Sequence, residues 1–574
     1  MLHVTPIASD LPPFRAIADL IREHAAEHPQ QPALGDDATC LDFAALDQAM
    51  NRVAAALQRD GLEPGDVVAL CATPCVAQAV VFLGALRAGA VVAPLAPSVT
   101  PEQLSMMLSD CGARLGFFDA TARALLPQDI SLRLVHLEGA LLHAPADVAQ
   151  RQAPEPAVAS NPDAADAAAD NCDGLTLQAW LAPPDARPQP VSVRPEDPFN
   201  IIYSSGTTGV PKGIVQPHGM RWAHVMRARR YGYGAGSVTL LATPLYSNTT
   251  LVAFFPALAS GGQVQLMSRF DALGYLERAQ RLRATHTMLV PVQVQRLLDH
   301  PRFGDFDLSA FQMKLCTSAP FGAALKAQVL QRWPGALVEV YGLTEGGGTC
   351  MLEAHLHPHK LHTVGRPVPG HDIRLIDEQG TELPAGPGVL GEVVGRSPGM
   401  MTGYHRQPDK TREAEWFDAQ GQRFIRTGDV GRFDEDGFLT LMDRRKDMII
   451  SGGFNVYPSD LEAVLRQHPQ VAEAAVAGVP SPAWGETPVA WVVPVEGATL
   501  QPEELRAWCN ARVGKTQRLH ALRLVPELPR SAIGKVLKRE LQQRYALENA
   551  APGVEPASAP GVASGVSPKA DPDA

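Results

Sequence analysis

The sequence predicts an α/β protein with a large N-terminal domain of layered sheets and helices and a small α+β C-terminal domain. Three observations predict it. Short apolar runs, VVALCA at 67–72, AVVAPL at 90–95 and LGFFDA at 115–120, alternate with helical patterns, as buried strands between helices do. Similar material continues through 195–440. After Asp443 the character changes to about 100 residues of short strands and helices, the size of an independent small domain. The expected division is 1–442, 443–546 and a tail over 547–574.

Composition bounds the function classes. Of 574 residues, 45% are hydrophobic and 19% charged, which excludes a mostly disordered chain. The net charge of −11 disfavours bulk nucleic-acid binding, because phosphate contacts rest on a Lys/Arg surplus. Eight cysteines without a C-x-x-C pair argue against a disulfide scaffold or a cysteine zinc site. The N-terminus, MLHVTPIASDLPPF, has no basic region followed by an apolar run, so no signal peptide is expected. A cytoplasmic protein without integral membrane association is the default.

Along the chain, Phe14, Ile17, Leu20 and Ile21 predict an amphipathic helix over 14–28, ended by Pro29. The most apolar stretch, Val76 to Leu95, contains Gln78, Arg87 and several Gly or Pro residues. It reads as a buried helix, a turn at Arg87-Ala-Gly and a buried strand, not a membrane span. Residues 152–171 lack any Leu, Ile or aromatic residue and read as a mobile insertion. In the small domain, MIIS is a strand, GGFN a turn, and Pro458 starts a helix with Leu461, Val464 and Leu465 on one face. VAEAAVAGV and VAWVV are strands, and a helix begins at Pro502. From Ala551 the chain is Ala/Pro/Gly/Ser/Asp-rich and expected to be disordered.

The segment Tyr203-Ser-Ser-Gly-Thr-Thr-Gly-Val-Pro-Lys-Gly213 follows a strand-like run. Its glycines let backbone N–H groups converge on an anion, and its hydroxyls and Lys212 add donors and charge, which suits a polyphosphate. It is not a Walker A loop, since Lys212 stands between Pro211 and Gly213. A polar hairpin loop is the bland alternative. Four ordered segments follow: Val340-Tyr-Gly-Leu-Thr-Glu345, Tyr404-His-Arg-Gln-Pro408 with Arg426-Thr-Gly-Asp-Val430, Asp443 to Asn455, and Leu528-Pro-Arg-Ser-Ala-Ile-Gly-Lys-Val536.

With these motifs, from about residue 14 to about 546, the chain resembles the adenylate-forming superfamily of acyl- and aryl-CoA synthetases, peptide-synthetase adenylation domains and luciferases. The resemblance implies ATP, Mg²⁺ and CoA as ligands and a carboxylic acid as substrate. It implies catalytic roles for Lys535, Glu345, Thr208 and Lys212, with Glu345 the Mg²⁺ residue. Nucleotide contacts would come from Thr207, Ser318, Ala319, Pro320, Glu339, Tyr341, Gly342, Thr344, Asp429 (the ribose) and Arg444. Lys446 would be the hinge about which the small domain rotates, and Ser451, Gly452 and Gly453 would line the CoA tunnel. Trp484 would stand near the thiol site. Asp443 replaces the usual Gly and Asp460 the usual Glu, neither of which removes a catalytic group.

The acyl pocket would draw on Tyr246, Ser247, Asn248, Gly346 and Gly347. Ser247 stands where many relatives have His. Gly346, Gly347 and Gly348 leave room for an open pocket wall, and Tyr246, Phe254, Phe255 and Met351 suggest apolar lining. No Arg or Lys in these segments could pair a second carboxylate. The expected reaction is AMP-forming ligation of an aromatic or medium-to-long-chain monocarboxylic acid to CoA. Loading of a separate carrier protein, luciferase-like oxygenation and a catalytically silent nucleotide binder are the alternatives. The histidines of HLHPHKLH, interrupted by Pro358, read as a surface loop and not a zinc site.

Overall fold

The computed structural model describes residues 12–127, 132–137, 175–204, 211–384, 386–444, 447–451, 454–482, 484–514, 517–531 and 534–549. The 152–171 insertion and the chain beyond Asn549 lie outside the described residues. Two compact units form: Met1–Lys446 with Arg530–Lys535, and Asp447–Pro529 with Val536–Ala574. The division falls four residues later than expected. Its cause is the strand Leu439–Arg444, which pairs with Arg423–Phe433 and therefore belongs to the large unit.

The large unit holds three sheets. The nine-stranded sheet runs Arg366–Pro367, Gly346–Glu353, Ala336–Leu343, Met313–Cys316, His286–Leu289, Val238–Leu241, Gln263–Leu266, Pro32–Gly35 and Cys40–Asp42. It is parallel in the middle and antiparallel at both edges. The eight-stranded sheet places Lys212–Pro217 and Pro198–Ser204 beside the parallel strands Val91–Leu95, Val67–Cys71, Leu115–Phe118 and Arg133–His136. A five-stranded antiparallel sheet is built on Arg423–Phe433.

Helices Ile17–Glu27, Phe43–Arg59, Val76–Arg87 and Asn248–Ala259 share one apolar core with both large sheets. Every residue of Val76–Arg87 is buried, in line with its strongly apolar sequence, and Gly89 at φ +76° turns the chain into Val91–Leu95. Arg87 is tolerated there because its guanidinium meets Asp47 at 2.7 Å and the carbonyl of Ala18 at 3.0 Å. The first helix starts at Ile17 rather than Phe14. Phe14 instead packs edge-on against His218 and Trp222. Among the described residues no helix is long and apolar enough to cross a membrane.

The small unit centres on the hairpin Val471–Ser481/Gly485–Pro494, flanked by Ile449–Ser451 with Phe454–Val456 and by the parallel strand Ala521–Leu524. One face packs on Leu461, Leu465 and Leu505. The other packs Val479 and Trp491 against Leu541. The last helix, Lys538–Asn549, extends three residues into the segment expected to be tail.

Phe82 is fully buried against Phe199 and Phe255. Phe82→Ala is expected to cost about 3–5 kcal/mol, read as a lower urea midpoint of the large unit.

Candidate active site

The carboxyl ends of parallel strands are where open α/β sheets gather ligand-binding groups. Here Met313–Cys316 runs into Thr317 and Ser318, and Ala336–Leu343 ends in Gly342 and Leu343; all four residues line one cavity of about 100 Å³. Helix Asn248–Ala259 points its N-terminal Asn248 and Thr249 at the same space, with Ser247 as its cap, accepting the Thr249 N–H at 3.3 Å. Helix His218–Ala228 adds Ala223, His224 and Arg227. Ser318 sits at φ +79°, a strained backbone for a residue with a side chain, held by a hydroxyl–hydroxyl hydrogen bond to Thr249. The Thr317 hydroxyl donates to the Val340 carbonyl at 2.6 Å.

Pro198–Ser204 and Lys212–Pro217 form a hairpin in which Ser204 pairs with Lys212. The loop between them, with Thr207 and Thr208, lies outside the described residues. The Lys212 ammonium stands 5.1 Å from the centre of the Tyr404 ring, and the Tyr404 hydroxyl donates to Glu345 Oε1 at 2.8 Å. Tyr404 thus joins a cation and a carboxylate that are far apart in sequence. Burial and the Glu345 carboxylate keep its phenol protonated. Gln216 ties the hairpin to the second motif by donating to the Thr344 carbonyl at 2.6 Å.

Between the second and third motifs, the Tyr341 hydroxyl donates to buried Asp429 at 2.8 Å. Burial, then the Asp429 charge, pushes the Tyr341 phenol far above its usual range. Arg444 stands opposite Asp429 on the adjacent strand. Ala319 and Pro320 continue the turn after Ser318. In the Lys535 motif, Ser531 N–H donates to the Lys535 carbonyl at 2.8 Å and its hydroxyl accepts the Lys535 N–H at 3.2 Å. Gly534 at φ +76° supplies the turn. Within the small unit Ser451 pairs with Phe454 and Gly485, and Trp484 is exposed. Lys446, Gly452 and Gly453 lie outside the described residues.

Three expectations need correction. Glu339 is no nucleotide contact in this geometry: it is buried in an ion pair with Lys326, and burial pushes its carboxyl up to about 7 against the opposing pull of Lys326. Gly346, Gly347 and Gly348 do not open the pocket wall. Side chains there would strike the backbone of Gly399, the backbone at Gly395 with Ile425, and Ile373, so the missing atoms let two sheets close on each other. Gly346 still lines the cavity, whereas Gly347 does not.

The expected residues do not supply the apolar lining either, which comes from Val252, Val340 and Leu343. Phe254 and Phe255 lie in the core, Met351 accepts a hydrogen bond from Tyr231, and half-buried Tyr246 bonds Ser98; none of them lines the cavity. The wall is instead rich in His224, Arg227, Thr349, His371 and Ser397. Among the described residues no group of three or more His, Cys, Asp or Glu is placed to hold a metal ion.

Two family profiles match the chain: AMP-binding enzyme over residues 21–405, and AMP-binding enzyme C-terminal domain over 460–535. The chain belongs to the adenylate-forming superfamily. It is similar to a fatty acid–[acyl-carrier-protein] ligase of Streptomyces coeruleorubidus, 30% identical over 93% of this chain and 97% of the relative. It is also similar to a feruloyl-CoA synthase of Amycolatopsis sp, 32% identical over 90% and 96%. Among solved structures, the amide bond synthetase of Marinactinospora thermotolerans matches with a TM-score of 0.77 at 28% identity, covering 92% of this chain and 99% of that one.

For this adenylate-forming chain, residue-by-residue reading missed Tyr404 as a site residue, although it opens the third motif. It also missed the polar wall on helix His218–Ala228, whose only signal was charged residues in an otherwise amphipathic pattern. That helix is anchored by Arg221, which donates to Asn200 at 3.1 Å, to Asn248 at 2.9 Å and to Gln216.

Lys326→Met strands the buried Glu339 carboxyl and is expected to cost about 3–5 kcal/mol, read by urea denaturation. The KM for ATP should stay unchanged, which checks that Glu339 is structural. Burial pushes His218 down to about 4, and burial with Arg227 pushes His371 down to about 3, both from an ordinary value of 6.5. Below that value the unfolded chain takes up protons that the folded rings refuse, so stability falls as pH drops from 6.5 toward 4. Denaturation midpoints measured across this window should fall less steeply for His371→Gln.

Proposed function

We propose that the chain is an AMP-forming acid–CoA ligase. In this reading the acid's carboxylate attacks the α-phosphate of ATP and expels pyrophosphate. The CoA thiol then attacks the acyl carbonyl, loses its proton, and expels AMP. The observation that carries the reading is the Lys212–Tyr404–Glu345 cluster together with the Tyr341–Asp429 pair; Val340, Gly342, Thr344 and Gly346, the chain neighbours of Tyr341 and Glu345, line one cavity at the strand ends.

In-line displacement builds negative charge on phosphate oxygens, so catalysis is positioning and electrostatic stabilisation. Lys212 and Lys535 supply positive charge. Mg²⁺ bound with ATP would neutralise phosphate charge, and a single carboxylate such as Glu345 suits an ion that takes most of its ligands from phosphate and water. Tyr404 orients that carboxylate through Oε1. Asp429 offers an acceptor to ribose hydroxyls. Rotation of the small domain about Lys446 would exchange Lys535 for the Ser451–Gly453 loop, whose glycines suit close approach of pantetheine.

Of the aromatic and the medium-to-long aliphatic acids, the compact cavity favours an acid of aromatic size. A carrier protein as acceptor is the second reading, favoured by the similarity to the acyl-carrier-protein ligase.

Pyrophosphate release measured across a panel of acids, with and without CoA, tests both readings. Sustained turnover only with CoA supports the ligase. A single equivalent despite CoA points to a carrier protein. Lys535→Ala is expected to slow adenylation by about 10²–10³-fold while leaving thioester formation from supplied acyl-adenylate nearly intact. Equal loss of both steps would overturn the rotation.

A further inference from the structure

We propose that the acid carries a second, distal anionic oxygen group, in the simplest case a second carboxylate, held by Arg227. The inference rests on the reading that this cavity receives the acid.

Its basis is an imbalance of charge. His224 and Arg227 stand three residues apart on helix His218–Ala228 and so share the face that lines the cavity. No Asp or Glu lines it. Two nearby arginines outside the lining are satisfied: Arg221 by Asn200, Asn248 and Gln216, and Arg230 by Glu353 at 3.1 Å. Arg227 has one long hydrogen bond, to the Thr349 hydroxyl at 3.4 Å, and no ion pair with an acidic side chain among the described residues. A part-buried guanidinium without a counter-ion is costly, and an incoming carboxylate would relieve it with short, charge-assisted hydrogen bonds.

The neighbours reinforce the sign. His371 Nδ1 accepts the Thr349 N–H at 3.0 Å, so this neutral ring carries its hydrogen on Nε2 as a donor. His224 Nδ1 lies 3.5 Å from the Arg221 guanidinium, which can only donate, and leaves the same tautomer. Ser397 and Thr349 add hydroxyls to the same wall. One fixed positive charge and several donors, with no carboxylate among them, complement an anion, while Val252, Val340 and Leu343 supply the cavity's apolar contacts. The segments around Tyr246 and after Glu345 hold no Arg or Lys to pair a second carboxylate. The arginine arrives from a different helix.

The test pairs monoacids with distal-carboxylate counterparts: benzoate with terephthalate, 3-phenylpropanoate with 3-(4-carboxyphenyl)propanoate, and butanoate with glutarate. Pyrophosphate release is measured for the parent, Arg227→Leu and Arg227→Lys, alongside the shift in Tm that each acid produces. At least one dianionic acid should exceed its monoacid about tenfold or more in kcat/KM, and Arg227→Leu should erase about 30-fold or more of its apparent affinity. Arg227→Lys should retain part of it, and the KM for ATP should not move.

Monoacids preferred throughout, a preference that survives Arg227→Leu and Arg227→Lys alike, or a loss confined to ATP would overturn the inference. If no acid releases pyrophosphate but a dianionic acid raises the Tm of the parent and not of Arg227→Leu, the anion site stands and the ligase reading falls. No release and no Tm shift with any acid overturns the inference as well.

Discussion

Two sheets of the large unit meet backbone to backbone at Gly347, Gly348 and Gly395, where no side chain intervenes. That approach sets the distances across the site. It brings Ala336–Leu343, with Tyr341, alongside Arg423–Phe433, with Asp429, and lets the Met401 N–H reach the Glu345 carbonyl at 2.8 Å. Tyr404 then reaches Glu345 from the neighbouring chain segment. Were the glycines replaced, the sheets would part by the width of a side chain, and hydrogen bonds of this kind do not survive such a separation.

Polar contacts are distributed in two tiers around this junction. Gln216, Arg221, Asn200 and Asn248 form a buried network that locks a hairpin and two helices together. Tyr404, Tyr341 and Thr317 form a second tier that holds Glu345, Asp429 and the Val340 carbonyl. Buried hydrogen-bond networks give rigidity, and rigidity is what a reaction governed by positioning requires.

Much of this was legible in the sequence. Val76–Arg87 and Val91–Leu95 could be read because a mostly apolar run with a Gly turn has few other solutions. The motifs around Lys212, Tyr341, Glu345, Asp429 and Lys535 could be read because their order and residue types are distinctive. What could not be read depended on partners far apart in the chain. Glu339 looks like a ligand until Lys326 is found beside it, and the glycines after Glu345 look like empty space until Gly395 and Gly399 fill it. Arg227 looks like an exposed helix residue until Thr349 and His371 close around it. Local pattern reports which face of an element is apolar, not which distant group will neutralise a charge.

The small unit's hairpin carries a core on each face, with Leu461 and Leu505 on one side and Trp491 with Leu541 on the other. Amides along Ala475–Val479 and Val489–Val492 are therefore shielded from solvent by two layers and by cross-strand pairing at once. They should be the last in that unit to exchange hydrogen for deuterium, opening only when the whole unit unfolds. The turn end, with exposed Ile450 and Trp484, has no such cover and should exchange by local fraying. The unit is thus a stiff body with one soft rim, and the soft rim holds Ser451.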